Sequence, residues 1–291
     1  MSPHRRVLAG IGLAIAASAC FSALDTTTKL VSASVPLLMA LWFRYVFQAV
    51  ATAAVVLPRR GWGVLRTRHL PFQVLRGVLL MVSSLMAFAS LRFMPVGEFT
   101  AIVMIAPLAV TLLAATVLKE HVTPMRWAFV AGGFLGTLVI IRPGGQAFTW
   151  ASLLPLVLVG TNAWFQIITS KLARTEDPVT THLYTGWTGT LLASLALPFV
   201  WSSLPNAWLW AGLSFMGLAA TVGHFFLILA FQRAPASTLT PYLYSQIAFA
   251  MIGGFLVFDH VPDGVSLAGM VLIALCGAGG AWLTVREGRR T

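Results

Sequence analysis

Leu91-Arg92-Phe93-Met94-Pro95-Val96-Gly97-Glu98-Phe99-Thr100, followed by an apolar run that ends in Lys119-Glu120-His121-Val122, returns later in the same chain. The second copy reads Phe231-Gln232-Arg233-Ala234-Pro235-Ala236-Ser237-Thr238-Leu239-Thr240, and its apolar run ends in Phe258-Asp259-His260-Val261. An earlier pair echoes in the same register: Thr28-Lys29-Leu30 before Pro36, and Ser170-Lys171-Leu172 before Pro178. Outward from these anchors the apolar runs fall at 7–24, 37–57, 71–91, 96–118 and 125–141, then at 152–170, 180–201, 207–231, 236–258 and 264–285. Most approach the ~20 residues a helix needs to cross the hydrocarbon of a bilayer. Five crossings per copy is an odd number, so the second copy inserts upside down relative to the first. The expected fold is an all-α integral membrane protein of ten transmembrane helices. It is built as two inverted five-helix repeats, 1–143 and 150–286, joined near the turn Pro143-Gly144-Gly145 into one structural unit.

Composition supports this reading. Of 291 residues, 58% are hydrophobic and 9% charged, with a mean hydropathy of +0.86. Soluble domains carry about a quarter charged residues, so this chain lacks the means to cover itself with a water-facing surface. The apolar residues run on continuously instead of alternating, which selects helices over barrel strands.

The net charge of +11 marks topology, not a nucleic-acid partner. With the N-terminus inside, Arg5, Arg6, Arg59, Arg60, Arg66, Arg68, Lys119, Arg126, Lys171, Arg174, Arg233, Arg286, Arg289 and Arg290 fall inside. Lys29, Arg92 and Arg142 fall outside. This bias is the positive-inside pattern and places both termini in the cytoplasm. Arg44 and Arg76 stand within or at the start of spans and do not vote. Cys20 and Cys276 lie in apolar runs without metal or redox spacing. Arg5-Arg6, an apolar run and Ala17-Ser18-Ala19-Cys20 resemble a cleaved leader, but the counterpart at 152–170 makes this segment the first span. No metal or cofactor is expected.

Prolines stand in or at the head of several spans: Pro95, Pro107, Pro155, Pro235 and Pro241. Each removes a backbone donor, which membrane helices tolerate where neighbours or a cavity satisfy the freed carbonyl. Pro95 and Pro235 occupy equivalent positions, so their spans are expected to flex beside a cavity. Gly132 and Gly136, with Gly277, Gly279 and Gly280, form close-packing stripes. They serve packing within the chain or, at the last span, a homodimer.

Ionisable groups at bilayer depth mark function by default. Arg44 lies a third of the way along the second span. It is either a cavity cation for a substrate carboxylate or phosphate, or a structural pair with Asp25 or Glu98. Asp25, Glu98 and His224 are candidates for coupling to an ion gradient. Asp25 could instead pair with Lys29 on the same helix face, and His224 could be a packing histidine. Glu120 and Asp259, after spans four and nine, are expected to hold loops. Trp42, Gln48, Asn162, Trp164, Gln166, Tyr184, Trp187, Tyr242, Tyr244 and Gln246 are candidate cavity residues for a flat or amphipathic organic solute. HExxH, GxSxG and P-loop patterns are absent, so neither an enzyme nor direct ATP coupling is expected.

Arg44 after Trp42-Phe43, and Pro107…Lys119-Glu120-His121-Val122 followed by Gly132-Gly133-Phe134-Leu135-Gly136…Arg142-Pro143-Gly144, resemble the EamA-type drug/metabolite transporters over essentially the whole chain. Asp25-Thr26-Thr27-Thr28-Lys29 with Phe43-Arg44 resembles the subgroup that includes S-adenosylmethionine and riboflavin carriers. The resemblance implies ten helices around a central cavity worked by alternating access. The family glutamate after span four falls on Glu120, with the shorter Asp259 as its second-half equivalent. The resulting expectation is a secondary active transporter of a small organic metabolite in the bacterial inner membrane, with export favoured. Uptake of an aromatic or nucleoside-like metabolite is the alternative, and a passive channel or scrambler the third.

Overall fold

The computed structural model describes residues 3–93, 99, 102–103, 105–141, 153–259 and 263–288, and among these it is helical, without strands. The helices are α1 (Pro3–Val31), α2 (Leu37–Arg60), α3 (Leu70–Phe93), α4 (Ala106–Thr116) and α5 (Pro124–Ile141). They continue as α6 (Leu153–Leu172), α7 (Pro178–Val200), α8 (Ala207–Phe231), α9 (Ala236–Leu243), α10 (Ser245–Phe258) and α11 (Gly264–Gly288). A 3-10 turn, Trp62–Leu65, lies between α2 and α3.

Seven described segments are long and apolar enough to cross a membrane: α1, α2, α3, α6, α7, α8 and the stretch Ala236–Phe258. Shorter apolar helices lie at Ala106–Thr116 and Leu267–Gly280. Large apolar side chains face outward, Phe199 being 88%, Leu195 74% and Leu256 71% exposed. Water would not tolerate that surface and a bilayer requires it. The chain is a multi-pass membrane protein.

The halves interlock. The most extensive contacts are those of α1 with α8, α2 with α7, α3 with α6, and α5 with α11. The first helix of each half therefore lies on the third helix of the other half. The first helix also meets the fourth span across the divide: α1 against α9 and α10, and α6 against α4. Packing this close needs missing side chains. A Cβ on Gly189 would lie 2.2 Å from the Tyr45 ring, and one on Gly186 would lie 2.9 Å from the backbone of Ala49. Gly132, Gly136 and Gly279 meet Cys276, Ile273 and Phe129 across the α5–α11 seam. These three small residues are thus used up within the chain.

Two spans differ from their sequence expectation. The first runs seven residues past position 24, to Val31, so Asp25 and Lys29 stay helical. The ninth is broken at Tyr244 into α9 and α10. Pro241 lacks the N–H that would bond the carbonyl of Ser237, and the Thr240 hydroxyl bonds that carbonyl instead at 3.2 Å. Pro107 opens α4, and the hydroxyls of Thr111 and Thr240 lie 2.9 Å apart where the two proline-bearing spans meet. Pro235 caps α9, whereas Pro95 lies outside the described residues.

One end of the bundle is tied by polar contacts between the halves. Glu120, its side chain 8% exposed, accepts from Arg174 at 2.7 Å and from the Ser237 backbone N–H at 3.0 Å. Arg60 pairs with Asp177 at 3.0 Å. Glu176 accepts from the Arg68 N–H at 3.0 Å. Asp259 behaves differently from Glu120: it is exposed, caps α10 in the left-handed conformation, and holds no side-chain partner among the described residues.

Gly189→Ala should lower stability by about 1–3 kcal/mol through collision with Tyr45. Gly160→Ala, where a Cβ meets nothing within 4 Å, should leave stability nearly unchanged. Melting temperatures of the two variants in one detergent check the contrast.

Candidate functional site

A cavity of about 150 Å³ lies between α1, α2, α3, α6, α8 and the two proline-bearing spans, in the part of the bundle away from the tied end. Its charged and titratable lining consists of Asp25, Arg44 and His224, among the described residues. Asn162, Gln166 and Gln246 supply amides, Ser83 and Ser84 hydroxyls, and Phe21, Phe99 and Phe165 the aromatic wall.

Arg44, 6% exposed, donates to Ser84 Oγ at 2.5 Å and to His224 Nε2 at 2.9 Å. A guanidinium has donors only, so Nε2 must accept and the imidazole is neutral with its proton on Nδ1. A protonated imidazole would turn a donor against a donor. The Ser84 hydroxyl donates to the Leu80 carbonyl at 2.8 Å, so it accepts both from Arg44 and from the Tyr45 hydroxyl at 3.1 Å. Phe21 and Phe165 flank the His224 ring at 4.8 and 5.7 Å. Arg44 Nε keeps no partner. The guanidinium is thus held by neutral acceptors, with no carboxylate bonded to it among the described residues.

Asp25 accepts from Gln246 Nε2 at 2.9 Å, bridging α1 to α10, and forms no ion pair with Lys29 among the described residues. The Asp25–Lys29 pairing that spacing permits is displaced because α1 turns Asp25 inward beside α10. Gln166 donates to Asn162 Oδ1 at 2.7 Å on the cavity wall. Glu98 lies outside the described residues.

The remaining aromatic and amide candidates stand away from the cavity wall. Trp42 donates to Ser194 at 2.9 Å and packs on Phe43 and Trp201. Tyr184 donates to the Leu65 carbonyl at 2.9 Å and stacks near Trp187. Gln48 donates to the His182 carbonyl at 3.1 Å. Tyr244 is buried against Gly133, and Tyr242 lies near Gly280 on α11. Trp164 points outward, 45% exposed.

Sequence reasoning passed over Arg76. It is fully buried and donates to Thr169 at 2.6 Å, to the Thr181 carbonyl at 3.0 Å and to the Thr185 hydroxyl. Its guanidinium carbon lies 4.6 Å over the Phe165 ring. A position near the start of a span reads as an interfacial arginine. The threonines at Thr181 and Thr185, one turn apart on the facing helix, were the available signal. His182, beside Gln48, was missed likewise.

Membrane-length helices surround a small, largely apolar chamber that carries Asp25, Arg44 and His224 in its wall, an architecture that suits a membrane transporter. The EamA-like transporter family matches residues 8–142. A riboflavin transporter of Rhizobium johnstonii is 30% identical over 94% of this chain and 90% of its own length. An S-adenosylmethionine uptake transporter of Rickettsia conorii is 26% identical over 91% and 90%. A pseudopaline exporter of Pseudomonas aeruginosa is 26% identical over 91% and 93%. A solved crystal structure shares the fold at a TM-score of 0.76 and 19% identity, over 94% of this chain and 98% of that one. The chain belongs to the EamA-type drug/metabolite transporters, in the subgroup that includes these riboflavin and S-adenosylmethionine carriers.

Ser84→Ala removes an acceptor shared by Arg44 and Tyr45, and should cost about 1–3 kcal/mol. Ser83→Ala, whose hydroxyl meets only the neutral Thr161 and its own helix turn, should cost about 1 kcal/mol or less. Thermal unfolding of both purified variants measures the difference.

Proposed function

We propose that the protein is a secondary active transporter that carries a zwitterionic organic metabolite with an aromatic portion across the bacterial inner membrane by alternating access. The observation that carries this reading is Arg44: a buried guanidinium on the cavity wall without a carboxylate bonded to it. A bound carboxylate would complete its hydrogen bonding and offset the cost of a charge at that depth. Asp25 would face the substrate's cationic group, and Phe21, Phe99 and Phe165 its ring.

The reciprocal contacts of α1 with α8 and α6 with α3 support two inverted five-helix repeats, and the basic residues support cytoplasmic termini. The cavity is smaller than the ~300–1,000 Å³ of typical ligand pockets, so its walls must part to admit a metabolite. The proline-bearing spans around Pro107 and Pro241 are the elements placed to do so. Asp25, a carboxylate on the cavity wall, is the coupling group: substrate and proton would compete for it, so the two would be exchanged in opposite directions. Exchange against the inward proton gradient of a bacterial inner membrane favours export, the direction named for the Pseudomonas relative. Import is the second reading, favoured by the uptake activity named for the Rickettsia relative.

Proteoliposomes test the proposal with S-adenosylmethionine and riboflavin as probes. S-adenosylmethionine uptake should follow a proton gradient imposed acid inside and stop when that gradient is collapsed. Arg44→Ala should raise its KM roughly tenfold to hundredfold. Asp25→Asn should abolish gradient-driven uptake while sparing counterflow. Unchanged KM in Arg44→Ala, or transport of riboflavin alone, would overturn the zwitterion assignment. Flux indifferent to the gradient in both directions would identify a passive pathway.

A further inference from the structure

A second concavity, of about 360 Å³, opens on the outer flank of the bundle between α3, α4 and α6, at the tied end. Its walls are apolar, with Phe72, Leu75, Val117 and Trp164 each exposed. Its mouth carries two cations, Lys171 and Arg174. The Lys171 ammonium lies 4.9 Å from the centre of the Phe72 ring, which holds it over the groove, and no carboxylate pairs with it among the described residues. Arg174 spends one terminal nitrogen on Glu120. Of its five N–H donors, the others are left for a further acceptor, and its side chain is 52% exposed.

We propose that this groove binds an anionic phospholipid. Its acyl chain would lie along Trp164, Leu75 and Val117, and its phosphate would bridge Lys171 and Arg174. Apolar walls below two cations at the end of a transmembrane helix match an amphiphile with a negative head. A soluble anion gains nothing from the walls, and a neutral lipid gains little from the mouth. The assignment rests on the proposed orientation only in placing the headgroup in the cytoplasmic leaflet. It is independent of the cavity and its substrate. Through Arg174 the headgroup would touch the Glu120 tie that joins the halves, which gives bilayer charge a route to that contact.

Tryptophan quenching by brominated acyl chains tests it. The full-length protein is placed in vesicles of brominated phosphatidylglycerol or brominated phosphatidylcholine, each diluted in unlabelled phosphatidylcholine. Brominated phosphatidylglycerol should reach the same quenching at roughly tenfold lower mole fraction. That excess should vanish in Trp164→Phe and in the double variant Lys171→Gln/Arg174→Gln. It should persist in Arg59→Gln/Arg66→Gln, which removes two exposed charges from the same end. Equal quenching by the two lipids, or an excess that survives Lys171→Gln/Arg174→Gln, overturns the site. Counterflow in the same vesicles separates the two readings. An absent excess with intact counterflow refutes the lipid site alone, and an intact excess without counterflow refutes the transport reading alone.

Discussion

An arginine keeps its charge at any depth, and two of them lie buried in this bundle. That constraint organises the interior. Arg44 and Arg76 each need acceptors, and the helices supply hydroxyls, carbonyls and an imidazole instead of carboxylates. α2 and α3 provide the cations, while α6, α7 and α8 provide most of the acceptors. The charges of the first half are thus solvated largely by the second. Phe165 serves both, lying under Arg76 and edge-on to His224.

The choice of neutral acceptors separates holding a charge from cancelling it. A carboxylate bonded to Arg44 would close the site to anions, because a buried ion pair already satisfies both partners. Serine and histidine fix the guanidinium in place without bonding a carboxylate to it among the described residues. Among the described residues the cavity's carboxylate, Asp25, is bonded to Gln246 instead. An amide holds the acid as the hydroxyl holds the base, so cavity charges of both signs remain available to a solute.

Much of this was legible in the residues, and the remainder failed for identifiable reasons. Continuous apolar runs fixed most of the spans, because helix length and bilayer thickness are tied by geometry. The repeat made Arg44 against Gly186, and His224 against Ser84, visible as mismatches. In the structure three of these four residues meet in one cluster, Arg44 bonding both Ser84 and His224, while Gly186 is small because the backbone of α2 passes beside it. Asp25 and the amides of Gln166 and Gln246 were within reach of sequence reasoning because polar atoms at depth are few. Trp42, Tyr184 and Tyr244 were not, since a ring with a polar tip reads alike on a cavity wall and between helices. Arg76 was hidden by its place near a span's start, where only the facing threonines reveal burial. The break at Tyr244 needed the contact of Thr240 with a carbonyl that Pro241 leaves free.

The polar ties and the buried cluster differ in a way that bears on motion. Arg60 and Asp177 are both about half exposed, and such pairs contribute only ~0–1 kcal/mol. Glu120 is nearly buried, yet its partner Arg174 stands at the surface, so water can replace the arginine when the contact opens. The central cluster has no such replacement, because an arginine pulled from its acceptors there would face hydrocarbon. A cycle that opens the tied end therefore has a low-cost route through the loops and a high-cost one through the core. The core contacts of α2 with α7 and α3 with α6 would move as a unit, while α9, α4 and the loops that meet at Glu120 would part. The joint at Tyr244 lies between these regions: α9 begins at the Glu120 tie and α10 carries Gln246, which bonds Asp25.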